Sequence, residues 1–523
     1  MPINPATVKS FLDRSWAPLR DFKAMDESEV LAWIERATGR PLAPKTKPRL
    51  YQLHGIAAGL DTQGCIFNYD MQLGKTKMAL DTAQHLRDCG EWKGQGLILA
   101  HSPIGMEVWR NQIEQHSRLT AAICGTNPED FIKAFESGVD FIIMTWSSMQ
   151  YVYCDKRPNR KNILTLYANK DKLSEAAECF DLAIVDECHK LGNPYSLWFD
   201  MAVKITQNCN KVFGLTGTLV NRDPFSLWSQ LYMIDRGERL GYNFQFCQEA
   251  FGKKVRNYAA GIDQKVFDKA KMPILTERLA SCVISYTREE AGQMIALERG
   301  IIKLKMQGEQ LQAYQNCLNE IIRTDTEVID TDASFTRLRQ ISSGYLPFKD
   351  SGENKRVLRF INDVKFAYLE DFLKEMPADF PILIFHEFIR TGELLTRMLT
   401  RLKISHSWMY GGTTPAQDRQ AVEDFQAGKT QVFVANSASG GTSITLNRAD
   451  YVLFFETPAA PIIRAQAEAR PNAERNGRPL FVDDIVCSPT ENRILGFIEE
   501  GRDLAHELRT GKNRRELWKS LKA

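Results

Sequence analysis

Three short clusters hold, in chain order, the residue types that phosphate chemistry demands. Gly74-Lys75-Thr76, Asp186-Glu187-Cys188-His189 and Leu215-Thr216-Gly217-Thr218 each stand where an apolar run ends. A phosphate loop needs backbone amides at a helix N-terminus, a glycine where the chain approaches the phosphates, and a lysine to neutralise their charge. Asn68 to Thr76 offer this between the apolar Cys65-Ile66-Phe67 and the helix-like Lys77-Met78-Ala79-Leu80. The distal glycine of the full pattern is missing, and a bare Gly-Lys-Thr also arises by chance, so both readings stand for this cluster alone.

The second cluster supplies what the first lacks. Asp181-Leu182-Ala183-Ile184-Val185 runs directly into Asp186-Glu187, which puts two carboxylates at the C-terminal end of a buried strand, where ligands of open α/β sheets bind. Asp186, with Thr76, suits a magnesium ion, and Glu187 suits the orientation or deprotonation of an attacking water. The bland alternative is a pair of acids capping a strand. The order of the three clusters favours a nucleotide-driven motor, with a phosphate-binding lysine, a metal and water site, and a coupling loop.

The elements that must position these residues are legible as alternation. From Arg49 to about Ile234, short apolar runs such as 96–100, 141–144, 182–185 and 212–215 alternate with amphipathic stretches of helix length. A second alternating series follows at 382–385, 407–410, 432–435, 451–455 and 480–482. The predicted fold is therefore α/β, with two tandem parallel-sheet domains. The expected divisions are a helical N-terminal appendage over 1–48, a first domain over 49–234, a helical insertion and junction over 235–332, and a second domain over 333–523. Asp26 and Glu29 have capping-box spacing ahead of Val30, Leu31 and Ile34, with Gly39 placed to end that helix. The Lys- and Arg-rich segment from Gly511 is expected to be a solvated end.

Bulk properties exclude several classes. A chain of 523 residues exceeds what a single core supports, and 43% hydrophobic with 25% charged residues is ordinary for a globular protein. No stretch approaches the ~18 apolar residues that span a bilayer, and Met1 to Pro5 lack the flank and apolar run of a secretory signal, so an intracellular protein without a membrane partner is expected. The eleven cysteines form no Cys-x-x-Cys pair, which suggests free thiols. A net charge of +2 gives no global argument for a polyanionic partner, so any nucleic-acid surface must be local.

Over about residues 49 to 500 the chain resembles the superfamily-two nucleic-acid-dependent ATPases, and most closely the Swi/Snf family of double-stranded DNA translocases. Phe213 to Thr218, with Asn221 and Leu227-Trp228-Ser229-Gln230-Leu231, is similar to that family's coupling motif and the Leu-Trp pair trailing it. Tyr51-Gln52 resembles its adenine-recognising motif, and Pro103 through Trp109 the next. Leu338-Arg339-Gln340-Ile341 and Ile382 to Phe385 resemble the entry to a second motor domain. Ser439 to Leu446 resembles the motif coupling that domain to nucleic acid and nucleotide, and Gln466 to Arg470 the start of the arginine-finger motif.

The resemblance implies RecA-like lobes that bind ATP and Mg2+ between them, in a protein acting as a monomer. It assigns Tyr51, Gln52, Leu73, Gly74, Lys75 and Thr76 to the nucleotide, Thr76 and Asp186 to the metal, and Lys75, Glu187, Gln466 and Arg470 to catalysis. His189, Thr216 and Thr218 are implied as coupling residues. Thr145, Ser147, Ser437 and Thr442 are candidates for contacts to nucleic-acid phosphates, or equally ordinary caps and turn residues.

Three departures stand out: Gln72 where the family usually has glycine, Cys188 in place of alanine, and Ala473 where a second arginine is usual. An arginine finger stabilises charge on the transferred phosphoryl group and is worth ~10³ to 10⁵ in turnover. Arg475 can substitute, Arg470 can suffice, or Ala473 is an introduced change; an ungapped alignment to Phe481-Val482 favours true loss. The implied activity is ATP-dependent translocation on duplex DNA, with remodelling, displacement of bound proteins or branch migration as its outcome. Two alternatives remain: an RNA-dependent ATPase, because Asp-Glu-Cys-His also occurs among RNA sensors, and an ATP-gated DNA clamp with little turnover.

Overall fold

Strands in the first half of the chain are β1 (Gly64–Tyr69), β2 (Gln95–Ala100), β3 (Ala121–Ile123), β4 (Phe141–Thr145), β5 (Cys154–Pro158), β6 (Leu164–Ala168), β7 (Phe180–Asp186), β8 (Lys211–Thr216), β9 (Gly252–Asn257), β10 (Ile262–Phe267) and β11 (Val283–Tyr286). Seven of them form one parallel sheet in the order β11-β1-β8-β7-β2-β4-β3, while β5–β6 and β9–β10 are separate antiparallel ribbons. The structure is a computed structural model, describing residues 4–158, 164–220, 223–257, 262–293, 297–323, 331–349, 355–360, 363–438, 444–472, 479–504, 507–508 and 514–521. The chain divides into two compact units, Met1–Met294 and Ile295–Ala523.

The first sheet is buried on both faces because neighbouring strand residues point to opposite sides. Ile66, Leu97, Leu99, Ile142, Met144, Ala183 and Val185 enter one core, and Cys65, Phe67, Ile98, Ile143, Ile184 and Phe213 enter the other. Helix α1 (Pro5–Leu12) packs by Phe11 on the first of these cores, and α2 (Glu27–Thr38) packs by Val30, Trp33 and Ile34 on the second. The capping box is formed: Glu29 N–H donates to Asp26 Oδ1 and Asp26 N–H to Glu29 Oε2, each at 2.9 Å. Gly39 ends α2 with φ 71°, a left-handed conformation that suits glycine. The N-terminal segment is thus built into the first unit's core.

The second unit contains β12 (Leu297–Lys303), β13 (Tyr345–Lys349), β14 (Lys355–Arg359), β15 (Ile382–His386), β16 (His406–Met409), β17 (Val432–Asn436), β18 (Tyr451–Phe454) and β19 (Leu480–Val486). Its parallel sheet runs β12-β19-β18-β15-β17-β16, with β13–β14 a separate ribbon.

Two expectations require correction. Residues 235–332 are not one helical insertion: β11 pairs with β1 in the first sheet, and β12 pairs with β19 in the second. Both are edge strands, and β12 carries Glu298, Arg299 and Lys303 within its seven residues. The basic C-terminal segment is not simply solvated either. Its helix Arg514–Lys519 buries Trp518, and Leu521 beyond it is buried too, while Tyr314 Oη donates to Leu521 O at 3.1 Å.

Candidate nucleotide site

In the first unit the three chemical clusters converge because their strands are adjacent. The strands β1, β8 and β7 lie side by side, with Asn68 opposite Thr216 and Leu215 opposite Asp186. Their C-terminal ends therefore bring together the loop ending in Lys75, the carboxylates of Asp186-Glu187 and the turn beginning at Thr216. Ligands of open α/β sheets bind at this end.

The phosphate loop leaves β1 and turns into helix α4, with α3 (Leu50–Asp61) before it and α4 (Lys75–Asp88) after it. Gly74 caps α4 with φ 77°, a conformation that suits glycine, and a Cβ there would lie 2.3 Å from Gln52 Nε2 and displace that amide. Gln72 also has positive φ, at 67°, without glycine's freedom. Lys75 Nζ donates to Tyr69 O at 2.7 Å and to Asp70 O at 3.2 Å. Burial lowers its pKa, opposed by the charges of Glu187 and Asp186. Thr76 is half-buried in the first turn of α4, and Leu73 is buried beneath the loop.

Tyr51 and Gln52 lie in the first turn of α3. Gln52 Oε1 accepts from Arg49 N–H at 2.9 Å, and its Nε2 donates to Leu73 O at 3.1 Å, so one amide joins the helix start to the phosphate loop. Tyr69 Oη donates to Tyr51 O at 2.8 Å.

Burial and then the neighbouring Glu187 charge push the Asp186 pKa up to about 6, while Trp109 Nε1 donates to its Oδ2 at 3.2 Å. Glu187 is buried at φ 50°, a left-handed conformation that is costly for a residue with a side chain. Its Oε2 lies 3.1 Å from His189 Nδ1, which lies 3.1 Å from Thr216 Oγ1. Thr216 Oγ1 in turn accepts from Thr218 N–H at 3.0 Å. A polar chain therefore links the second cluster to the third. Leu227 and Trp228 are buried behind it, and Gln230 Nε2 donates to Leu219 O at 3.0 Å.

Two carboxylates beside one shielded lysine leave negative charge that a hard cation would compensate, and this oxygen-rich donor set fits magnesium. Among the described residues no group of three or more His, Cys, Asp or Glu side chains could hold a metal by itself.

The remaining candidates divide. Thr145 spends its hydroxyl on a helix cap, accepting from Ser148 N–H at 3.0 Å, whereas Ser147 is exposed. In the second unit Ser437 is buried, and Gln466 is half-buried on the helix Pro461–Ala469. Arg470 is buried too: its Nη2 donates to Ser437 O at 3.2 Å, its guanidinium lies 5.5 Å from the Phe385 ring centre, and burial lowers its pKa to about 10. Thr442 and Ala473 lie outside the described residues. Sequence reasoning missed Arg288, which donates to the phosphate loop, and gave Trp109 no partner. The apolar run Val283-Ile284-Ser285-Tyr286 before Thr287-x-x-Glu290 was the signal available for Arg288.

The SNF2-related domain family matches residues 26–361, and the helicase conserved C-terminal domain matches 364–472. The chain belongs to the SNF2-related family, within the helicase-like nucleic-acid-dependent ATPases of superfamily two. It is similar to the chromodomain-helicase-DNA-binding protein 1-like of Danio rerio, at 23% identity over 86% of this chain and 42% of the relative. It is also similar to the SWI/SNF-related matrix-associated actin-dependent regulator of chromatin subfamily A-like protein 1 of Drosophila melanogaster, at 22% identity over 90% of this chain and 56% of that one. The chain thus spans about half the length of these relatives. A solved Sulfolobus solfataricus SWI2/SNF2 ATPase core in complex with dsDNA aligns at 18% identity and a TM-score of 0.40, over 92% of this chain and 96% of that one. Among the described residues no helix is long and apolar enough to cross a membrane.

Proposed function

We infer that this chain hydrolyses ATP to translocate on duplex DNA, with remodelling of DNA, displacement of bound proteins or branch migration as the outcome. The observation that carries the reading is the convergence of Lys75, Asp186-Glu187 and Thr216 at the ends of three adjacent parallel strands. In this reading Lys75 neutralises phosphate charge, while Tyr51 and Gln52 recognise the base. Thr76 and Asp186 would hold a magnesium ion, which when bound supplies charge compensation to the phosphoryl oxygens. Glu187 accepts a proton from the attacking water, and His189 orients that carboxylate and connects it to Thr216 and Thr218. Arg470 and Gln466 are the second unit's contribution to catalysis.

Support for DNA over RNA comes from the SNF2-related family match and from Leu215-Thr216-Gly217-Thr218 with its Leu227-Trp228 sequel. The deciding experiment measures ATP turnover with no nucleic acid, duplex DNA, forked DNA and RNA. Duplex DNA is expected to stimulate most, and preferential stimulation by RNA would overturn the translocase reading.

One observation favours a second reading, an ATP-gated clamp with little turnover. Arg470, the arginine retained in its motif, is held inside the second unit by Ser437 and Phe385, and position 473 is alanine. ATP should then tighten DNA binding while phosphate release stays at background.

A further inference from the structure

We propose that Arg288 is a positioning residue that clasps the phosphate loop in its nucleotide-receiving shape and offsets the strain introduced by Gln72. The proposal rests on the reading of Gly74-Lys75-Thr76 as a nucleotide site, and it concerns a residue that touches the loop rather than the reacting atoms.

The contacts fall on three successive residues. Arg288 N–H donates to Asp70 Oδ2 at 2.8 Å, and its Nη2 donates to Met71 O at 3.0 Å and to Gln72 Oε1 at 2.7 Å. Asp70 N–H returns a bond to Tyr286 O at 2.9 Å. Gln72 holds φ at 67°, a region that a residue with a Cβ keeps only when its surroundings enforce it. Arg288 grips both its side chain and the carbonyl before it. Both side-chain bonds leave one planar guanidinium nitrogen, whose two hydrogens are held at fixed angles, whereas the three hydrogens of an ammonium rotate freely.

The segment bearing Arg288 is itself fixed. Thr287 N–H donates to Glu290 Oε2 at 2.8 Å, and Glu290 N–H to Thr287 Oγ1 at 3.1 Å, a reciprocal cap that pins the turn. At its far end Gln293 Oε1 accepts from Arg49 Nη1 at 2.7 Å, and that same nitrogen donates to Tyr51 Oη at 3.3 Å. The last described residues of the first unit are thus moored to the phosphate loop at one end and to the start of α3 at the other.

The test uses the full chain as wild type, R288A, R288K, Q72G and R288A/Q72G, with thermal melting to monitor folding. Two quantities are read: affinity for a fluorescent ATP analogue, and amide exchange of residues 71–74 without nucleotide. R288A is expected to bind the analogue about 10-fold more weakly, the scale of hydrogen bonds from a charged donor, and to speed exchange of the loop. Q72G in that background should recover most of the affinity, because glycine holds positive φ unaided, which no general loss of scaffold would explain. R288K should fall between. Unchanged loop exchange in R288A overturns the clasp whatever the nucleotide does, and so does a binding loss that Q72G leaves untouched. If R288A does not fold, R288K decides: it must bind more weakly while melting like wild type, and unaltered binding overturns the proposal. Failure of the wild type to bind the analogue, with loop exchange still dependent on Arg288, would instead defeat the nucleotide reading.

Discussion

Cys188 Sγ lies 3.0 Å from the place a Cβ would occupy on Gly214, one strand away on β8. The thiol, which also lies 3.6 Å from Gln230 Oε1, is accommodated because its neighbour has no side chain. Burial and the nearby Glu187 and Asp186 charges raise its pKa, so it packs as a neutral group. G214A is therefore expected to destabilise by about 1–3 kcal/mol through overpacking, and C188A in that background to recover part of the loss. Urea unfolding of the four proteins of this cycle checks the coupling; additive effects would show that the two positions do not share space.

Lys75→Ala and Glu187→Gln should each lower ATP turnover by about 100-fold or more while melting near the wild-type temperature, since on the proposed reading each removes a group that meets charge developing in the reaction. Steady-state phosphate release with duplex DNA measures this. Retained turnover in either variant would refute that residue's assignment.

The pH response of Asp186 has a definite sign. Its folded pKa is raised from 3.8 to about 6, so the folded state binds more protons than the unfolded chain in that window, and this group's contribution to stability falls as pH rises through it. D186N removes the ionisation. The variant should be more stable than wild type by about 1–3 kcal/mol at pH 7, and the difference should shrink as pH is lowered towards 4. Denaturant melts at both pH values provide the comparison, and a difference that does not shrink would show that ionisation is not its source.

Ala473→Arg tests the clamp reading. If no other group supplies the missing charge, phosphate release should climb steeply, towards the ~10³-fold lower bound known for arginine fingers. No change in rate would mean that another residue already provides it.

The central strands were legible because each is a short apolar run buried on both faces, as in Leu182 to Val185 and Ile382 to Phe385. Of the edge strands, β16 was read at 407–410, whereas β11 and β12 were not. In β12, Glu298, Arg299 and Lys303 are exposed, no residue is fully buried and Ile301 keeps 47% exposure, so the segment reads as polar and irregular. The C-terminal helix was hidden by its own lysines and arginines, between which Leu517, Trp518 and Leu521 carry the packing. At the site, Lys75, Asp186 and Thr216 announce themselves by local motif. The pairing of Arg288 with Gln72 spans 216 residues, and no local pattern encodes a partner that distant.

The way each sheet is closed sets an order for synthesis. β1 waits for β8 and then β11, so the first sheet has all its strands by Tyr286. In the second unit β12 must wait for β19, and Tyr314 for Leu521, so strand and helix made early lack their partners until some two hundred residues later. As the ribosome delivers the chain, the contacts of Arg288 to Asp70, Met71 and Gln72 can form while the second unit's apolar surfaces are still uncovered.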